Sequence, residues 1–328
     1  MKRGTFIKST VLAALVALAP QPAPAQVVKF TFATTNGPKD LSSLAAVRWQ
    51  AQLKERSKGA LDMTFVPGGA LGGDKQLLQQ LVNNEIQLHV AGPVVVHHLL
   101  RQYQCMEAEY IYKDEAHGLR AWTGPLGREV NALLEKEHGV TMVAIASRGA
   151  RHLTANVAVR KPEDLKGVKV RVTNPLRAEI FQAYGALPGN LSIAELYGAL
   201  RAGVFDAQEN PIPTIWGNKF YEVQKYINLT GHVWSYNVFT ANKKFVDSLA
   251  PAHRELFFAT LRDAVDWLNK AVAEDTRKLL ADMEATGKTR VVESDVAAFK
   301  KIAEPIVEKF AAEKCRPGLL ADIAKLAN

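Results

Sequence analysis

Cysteine is scarce in this chain: two residues among 328, at positions 105 and 315. No C-x-x-C pair is present, which excludes a zinc ribbon, a thioredoxin-type redox centre and a disulfide-framed mini-domain. Two readings stay open for Cys105 and Cys315. Separate buried thiols are the default for free cysteine, and a single long-range bridge is the alternative in an oxidising compartment. Histidine is thin as well, and His97-His98 has no partner at metal-ligand spacing. G-x-S-x-G, H-E-x-x-H, a P-loop and G-x-G-x-x-G are all missing, so the common nucleophile, zinc-hydrolase and nucleotide sites have no footing here. Basic residues are scattered rather than clustered, which argues against a nucleic-acid arm. Beyond residue 25 no run of 18 apolar residues occurs, and no membrane-spanning helix is expected.

What is present begins with a leader. Lys2, Arg3 and Lys8 precede an apolar core, Thr10 to Ala19, and Ala23-Pro24-Ala25 offers an A-x-A cleavage site. This is the pattern of a cleavable secretory signal, predicting a mature start at Gln26. Ten apolar residues are too few to span a bilayer, which takes about 20. There is no twin arginine, and no cysteine follows the cleavage site to accept a lipid. Without residues 1–25, 303 of the 328 residues remain, enough for two domains, and losing Lys2, Arg3 and Lys8 takes the formal charge from +8 to +5. A mildly positive protein attracts anionic ligands over long range.

Strand and helix patterns then alternate. Val28 to Thr34 reads as a strand, Ser42 to Ser57 as a helix stopped by Gly59, and Leu61, Met63 and Phe65 as one face of a second strand. A glycine-rich turn from Pro67 to Gly73 leaves Asp74 placed to cap the next helix. Ile86 to Ala91 is a strand, Glu115 to Glu137 is largely helical up to Gly139, and Val140 to Ala146 is a buried strand. After Arg151 the pattern restarts. Leu153 to Val159 is a strand; Val168, Val170 and Val172 form one face of the next, with Lys169 and Arg171 opposite. Ser192 and Glu195 make a capping box opening a helix to Ala202. Two successive α/β units predict two lobes with mostly parallel sheet, and such folds bind ligands at strand ends and between domains. Pro251 to Ala285 carries no internal breaker and predicts a helix of about 50 Å, longer than one small domain.

Several motifs together resemble one family. They are Asp164-Leu165-Lys166-Gly167-Val168-Lys169-Val170-Arg171, Arg151-His152-Leu153-Thr154-Ala155-Asn156, Asp206-Ala207-Gln208-Glu209-Asn210-Pro211, and the turn-helix element from Pro67 to Leu78. The chain resembles the substrate-binding proteins of TRAP transporters, the DctP family, over nearly all of its length after the leader, most specifically from Arg151 to His232. The resemblance implies an α/β, two-lobed periplasmic binding protein fold with a long helix spanning both lobes. It implies lobe I at 26–148 plus about 237–276, and lobe II at 149–236 plus about 277–328.

On the residues alone, Arg171 reads as part of a solvated strand face. The resemblance instead makes Arg171 the main partner of a ligand carboxylate, with Arg151 and Asn210 completing recognition. A guanidinium matches a carboxylate at two points, and an asparagine either donates or accepts. Arg148 stands close enough to compete with Arg151 for that role. Asn36, with Gly37, belongs to a loop implied to set specificity. Trp216 and Trp234 read either as cleft wall or as core. Glu209 reads as a structural partner, because a second anion beside the substrate would repel it. The chain departs from the family's usual pattern at Ala207, at Asn84 to Gln87, and at Glu109, where proline is usual.

The implied function is capture of a small organic acid in the periplasm and its delivery to the small and large TRAP membrane subunits. No cofactor, metal or nucleic acid enters that expectation. A ligand sensor serving a membrane receptor kinase is the alternative, and a periplasmic enzyme a more distant one.

Overall fold

The computed structural model describes residues 27–327, so the leader and its cleavage site lie outside the described residues. Nine strands form one sheet: β1 (Val28–Ala33), β2 (Leu61–Val66), β3 (Leu88–Ala91), β4 (Val140–Ala155), β5 (Lys169–Val172), β6 (Leu187–Asn190), β7 (Ala207–Pro211), β8 (Tyr226–Asn242) and β9 (Arg290–Glu293). Their order is β2-β1-β3-β8-β4-β7-β5-β6, with β9 added beside β8.

The spine of that sheet is the antiparallel pair β4–β8, of 16 and 17 residues. One end of the pair carries β3, β1 and β2, and the other carries β7, β5 and β6. Each lobe therefore hangs its short parallel strands on one end of two shared strands. This corrects the expected restart after Arg151. The chain does not begin a new strand there: β4 runs unbroken from Val140 to Ala155. Register shifts at Met142/Ala144, Ser147/Gly149 and Arg151/Leu153 explain why the pattern looked interrupted. Each bulge flips the alternation and adds local twist. The sheet is accordingly mixed, parallel within each lobe and antiparallel along the spine.

Helices cover the sheet. Leu41–Arg56 is capped by Asp40, whose side chain accepts from the Ser42 amide. The expected long helix after Asp114 is two helices, Glu115–Thr123 and Pro125–His138, broken where Gly124 meets Pro125. Proline lacks the amide a continuing helix would use. Gly139 closes the second helix in the left-handed conformation, φ 62°. Ser192 stands at the cap of Ile193–Arg201, but its side chain makes no capping bond, contrary to the expected box.

Pro251–Ala285 is a single helix of 35 residues. Its first half buries Phe257, Leu261 and Leu268 in a cluster with Phe30, Phe32 and Trp49. Its last turns bury Leu279 and Met283 with Leu196, Ile215 and Phe220 in another. One rod thus spans both lobes. Trp49 is fully enclosed, meets Phe257 edge-on at 5.0 Å and donates from Nε1 to Thr260 Oγ1 at 3.0 Å. Burial of a ring this large contributes roughly 4–6 kcal/mol before entropy is counted. No helix among the described residues is long and apolar enough to cross a membrane.

Cys105 and Cys315 are bridged, their Cα atoms 6.2 Å apart. The default of two separate thiols is thereby corrected. The 3₁₀ turn Arg101–Glu107 packs against the end of the helix Val296–Lys314, and the Arg316 amide donates to the Gln102 carbonyl at 2.7 Å. That approach joins segments 210 residues apart, which spacing in the sequence does not reveal.

Candidate functional site

Three arginines from two strands meet at one small cavity. Arg148 and Arg151 lie three positions apart on β4 and would face opposite sides of a regular strand. The shift at Ser147/Gly149, with Gly149 at φ 86°, breaks the alternation and brings both to the same cavity. Arg171, on β5, joins them, together with Asn210, Thr173, Thr35, Asn36, Asp74 and Glu107. The cavity measures about 40 Å³, enough for a few waters or a small polar group. A second chamber of about 310 Å³ adjoins it, also lined by Arg171, Asp74, Val94 and Thr173, together with His97, His98 and Lys75.

The arginines are not equivalent. Arg151 is fastened to Glu209. Its Nη2 lies 3.0 Å from Oε1 and 2.7 Å from the Glu209 carbonyl, its Nε 2.5 Å from Oε2, and it donates to Asn210 Oδ1 at 3.2 Å. Glu209 also meets His232 Nε2 at 3.1 Å and Arg177 Nη1 at 3.4 Å. Burial opposes its charge, yet Arg151 and Arg177 hold the Glu209 carboxyl well below the usual range. Glu209 is the structural partner that the sequence suggested. Arg177 also pairs with Glu109 at 2.7 Å, which gives the acid standing in place of the usual proline a role. Sequence reading missed Arg177, for nothing in Pro175–Ala183 marks it as turned inward.

Arg171 and Arg148 meet no carboxylate among the described residues. Arg171 is 5% exposed and donates once, from Nε to the Leu191 carbonyl at 2.8 Å. The expected solvated face is therefore corrected: Arg171 is buried, and Thr35, Asn36 and Asp74 line the same cavity. Burial pushes the Arg171 pKa down to about 10, with Glu209 acting in the other direction. Arg148 donates from Nη2 to Asn36 Oδ1 at 3.1 Å and Thr214 Oγ1 at 3.2 Å, and its buried Nε has no partner among the described residues.

Asn210 and Asn36 both line the cavity. Asn210 donates to Gln208 Oε1 at 2.6 Å, and Asn36 donates to Ser42 Oγ at 2.8 Å. Trp216 does not: it stacks on Tyr221 at 5.3 Å and belongs to the apolar cluster under the long helix. Trp234 lines a separate cleft beside Tyr110.

Two acids were also passed over. Asp74, expected as a helix cap, is the first residue of Asp74–Val82, and Gly73 takes the cap position. Its Oδ1 accepts from Thr35 Oγ1 at 2.7 Å, with His89 Nε2 at 3.7 Å. Burial works against its charge, but His89 and Thr35 hold the pKa down. Glu107 pairs with His97 at 2.8 Å and accepts from Ser235 at 3.1 Å. Despite burial, His97 and the nearby arginines hold it down to about 2. No motif marks Glu107, which sits in an irregular 3₁₀ turn.

The profile of bacterial extracellular solute-binding protein family 7, DctP, matches residues 32–314. The chain is 30% identical over 301 residues to the 2,3-diketo-L-gulonate-binding periplasmic protein YiaO of Escherichia coli, covering 91% of each chain. It is 26% identical to the C4-dicarboxylate-binding periplasmic protein DctP of Rhodobacter capsulatus, over 94% of this chain and 93% of that one. Among solved structures, a TRAP periplasmic solute-binding protein from Ochrobacterium anthropi with bound L-fuconate superposes at a TM-score of 0.85 and 26% identity, covering 92% of this chain and 100% of that one. The chain belongs to bacterial extracellular solute-binding protein family 7, the DctP family.

Proposed function

We propose that this protein closes its two lobes on the carboxylate of a small organic acid in the periplasm and presents it to the small and large membrane subunits of a TRAP carrier. The observation that carries the reading is the pair Arg171 and Arg148: two buried guanidiniums at one cavity, neither touching a carboxylate among the described residues. A buried charge without a partner is costly, and an anion of the right size offsets that cost. Arg171 takes the carboxylate through its free Nη groups. Arg151 and Asn210 flank it, oriented by Glu209 and Gln208, and Arg148 contacts the rest of the ligand.

The lobes are 26–148 plus about 237–276, and 149–236 plus about 277–328. On this division the cavity is built from both, with Asp74 and Asn36 from one and Arg171 and Asn210 from the other. Thr214 donates to Asp40 Oδ2 across the division at 2.9 Å. The ligand favours the closed form only through contacts that the open form lacks. Related proteins solved with L-fuconate and L-galactonate, and a relative that binds 2,3-diketo-L-gulonate, support an acid as ligand. The basic leader with its apolar core supports export. The chain acts as a receptor rather than an enzyme, and nothing in this scheme requires it to transduce energy.

A thermal-shift screen of residues 26–328 against small organic acids tests the reading. A ligand at 100 times its dissociation constant adds about 2.7 kcal/mol of apparent stability. A clear shift with one class of acid is expected; no shift with any acid contradicts the proposal.

A further inference from the structure

Two carboxylates share the cavity with the arginines, and a carboxylate clamp uses neither of them. Asp74 commits one oxygen to Thr35, while its Oδ2 makes no hydrogen bond among the described residues. Glu107 is 5% exposed, and its Oε1 accepts only from Ser235, at 3.1 Å. An ionised carboxylate accepts hydrogen bonds and donates none. Both acids can accept from donors on the ligand, and hydroxyls beside a carboxylate supply such donors without adding a charge.

Charge balance points the same way. Glu209 answers Arg151, and Glu109 answers Arg177, by direct contact. That leaves Arg148 and Arg171 on the cavity wall with Asp74 and with Glu107, the latter also held by His97 at 2.8 Å. One negative charge on the ligand is tolerated because Arg171 and Arg148 lack contact partners. A second would enter a buried site already holding two carboxylates, and like charges brought together there repel strongly. Arg171 and Asp74 line both the inner cavity and the adjoining chamber. A carboxylate on Arg171 thus has a hydroxyl acceptor beside it whichever way the ligand's tail runs.

We infer that the ligand is a hydroxylated monocarboxylate of the aldonate type, with its carboxylate on Arg171 and its hydroxyls donated to Asp74 and Glu107, and that the site discriminates against C4-dicarboxylates. This inference rests on reading the site as an organic-acid clamp. It selects among acids by their second functional group.

Calorimetric titration of D-gluconate, L-galactonate and D-erythronate, against succinate and L-malate, tests it. At least one aldonate is expected to bind about tenfold or more tighter than either dicarboxylate. Asp74→Asn is expected to weaken that aldonate about tenfold or more while leaving the dicarboxylates unchanged or improved, so that the ratio collapses. If Asp74→Asn fails to fold, Glu107→Gln is read in the same way. Tighter binding of succinate or malate than of every aldonate overturns the inference, as does a ratio unmoved in the variant. Failure of the underlying reading looks different: no acid of either kind binds, or Arg171→Ala leaves all affinities as they were.

Discussion

Arg151 and Glu209 are locked together across β4 and β7, with Nη2 held by both the side chain and the main chain of the acid at 3.0 and 2.7 Å. Arg171, at the same cavity, has no such partner among the described residues. Arg151 is tied into the protein's own ion pairs, whereas Arg171 makes none among the described residues.

That division predicts opposite effects on folding. Glu209→Gln leaves Arg151 and Arg177 buried beside a neutral amide. Breaking a buried pair on one side costs about 3–5 kcal/mol. Urea unfolding without ligand is expected to show a loss of that size. A loss below about 1 kcal/mol would mean that Glu209 is not what holds the arginines.

Arg171→Met, by contrast, removes a buried cation that has no ion partner and keeps an apolar stem of similar length. The ligand-free protein is expected to unfold at the same urea midpoint or a higher one. A drop of about 3 kcal/mol would show that Arg171 carries scaffold charge after all.

Acid lability is expected, and His152 and Glu107 both contribute to it. His152 accepts the Gly231 amide at Nδ1, 3.1 Å away, which requires that nitrogen to be unprotonated, and burial lowers its pKa to about 3. The unfolded chain binds a proton there near pH 6.5 and the folded chain does not. The His152 contribution is therefore fully present above about 6.5 and falls as pH drops towards 3, by at most about 1.4 kcal/mol per pH unit and less because the residue is only half-buried. Glu107 adds to this below about pH 4.5. Its folded pKa of about 2 means that its contribution is lost as pH falls through that range. His152→Gln is expected to flatten the stability profile between pH 6.5 and 4.5. An unchanged slope would remove His152 from the account.

The bridge between Cys105 and Cys315 closes a loop of 210 residues. Loop-closure entropy for such a length gives up to about 5 kcal/mol, and measured bridges typically give about 2–4. Unfolding of the Cys105→Ala, Cys315→Ala double variant, compared with the oxidised protein, is expected to show a loss in that range. Equal stability would mean that the packing of the 3₁₀ turn on the C-terminal helices suffices without the bond.

Much of the fold was legible because its signals are local. Pro251 at the first helical position and an unbroken run to Gly287 define the long helix without reference to anything else. The alternation in Val28–Ala33 and Leu61–Val66 does the same for β1 and β2. Non-local features were hidden. The continuity of β4 is masked by bulges that reverse the alternation, and the approach of Cys105 to Cys315 depends on packing between distant segments. At the site, Arg171, Arg151 and Asn210 stand in motifs and Asn36 in the loop after the first strand, and all four line one cavity. Trp216 was not separable from core, since a large ring suits either place. A helix start is enough to explain Asp74, so its sequence context points to a cap and not to the cavity. Arg148 was weighed only as a competitor, and its turn into the cavity depends on the bulge at Gly149.

The most direct test of the central claim is calorimetric titration of Arg171→Ala with the acid that the thermal screen identifies. Charge-assisted hydrogen bonds contribute about 1.5–3 kcal/mol each, and a two-point contact in a dry cavity is expected to be worth about 100-fold or more in affinity. Loss of binding on that scale, in a protein that still folds, is the predicted result. An affinity within about threefold of the unmodified protein would place the carboxylate elsewhere and contradict the account.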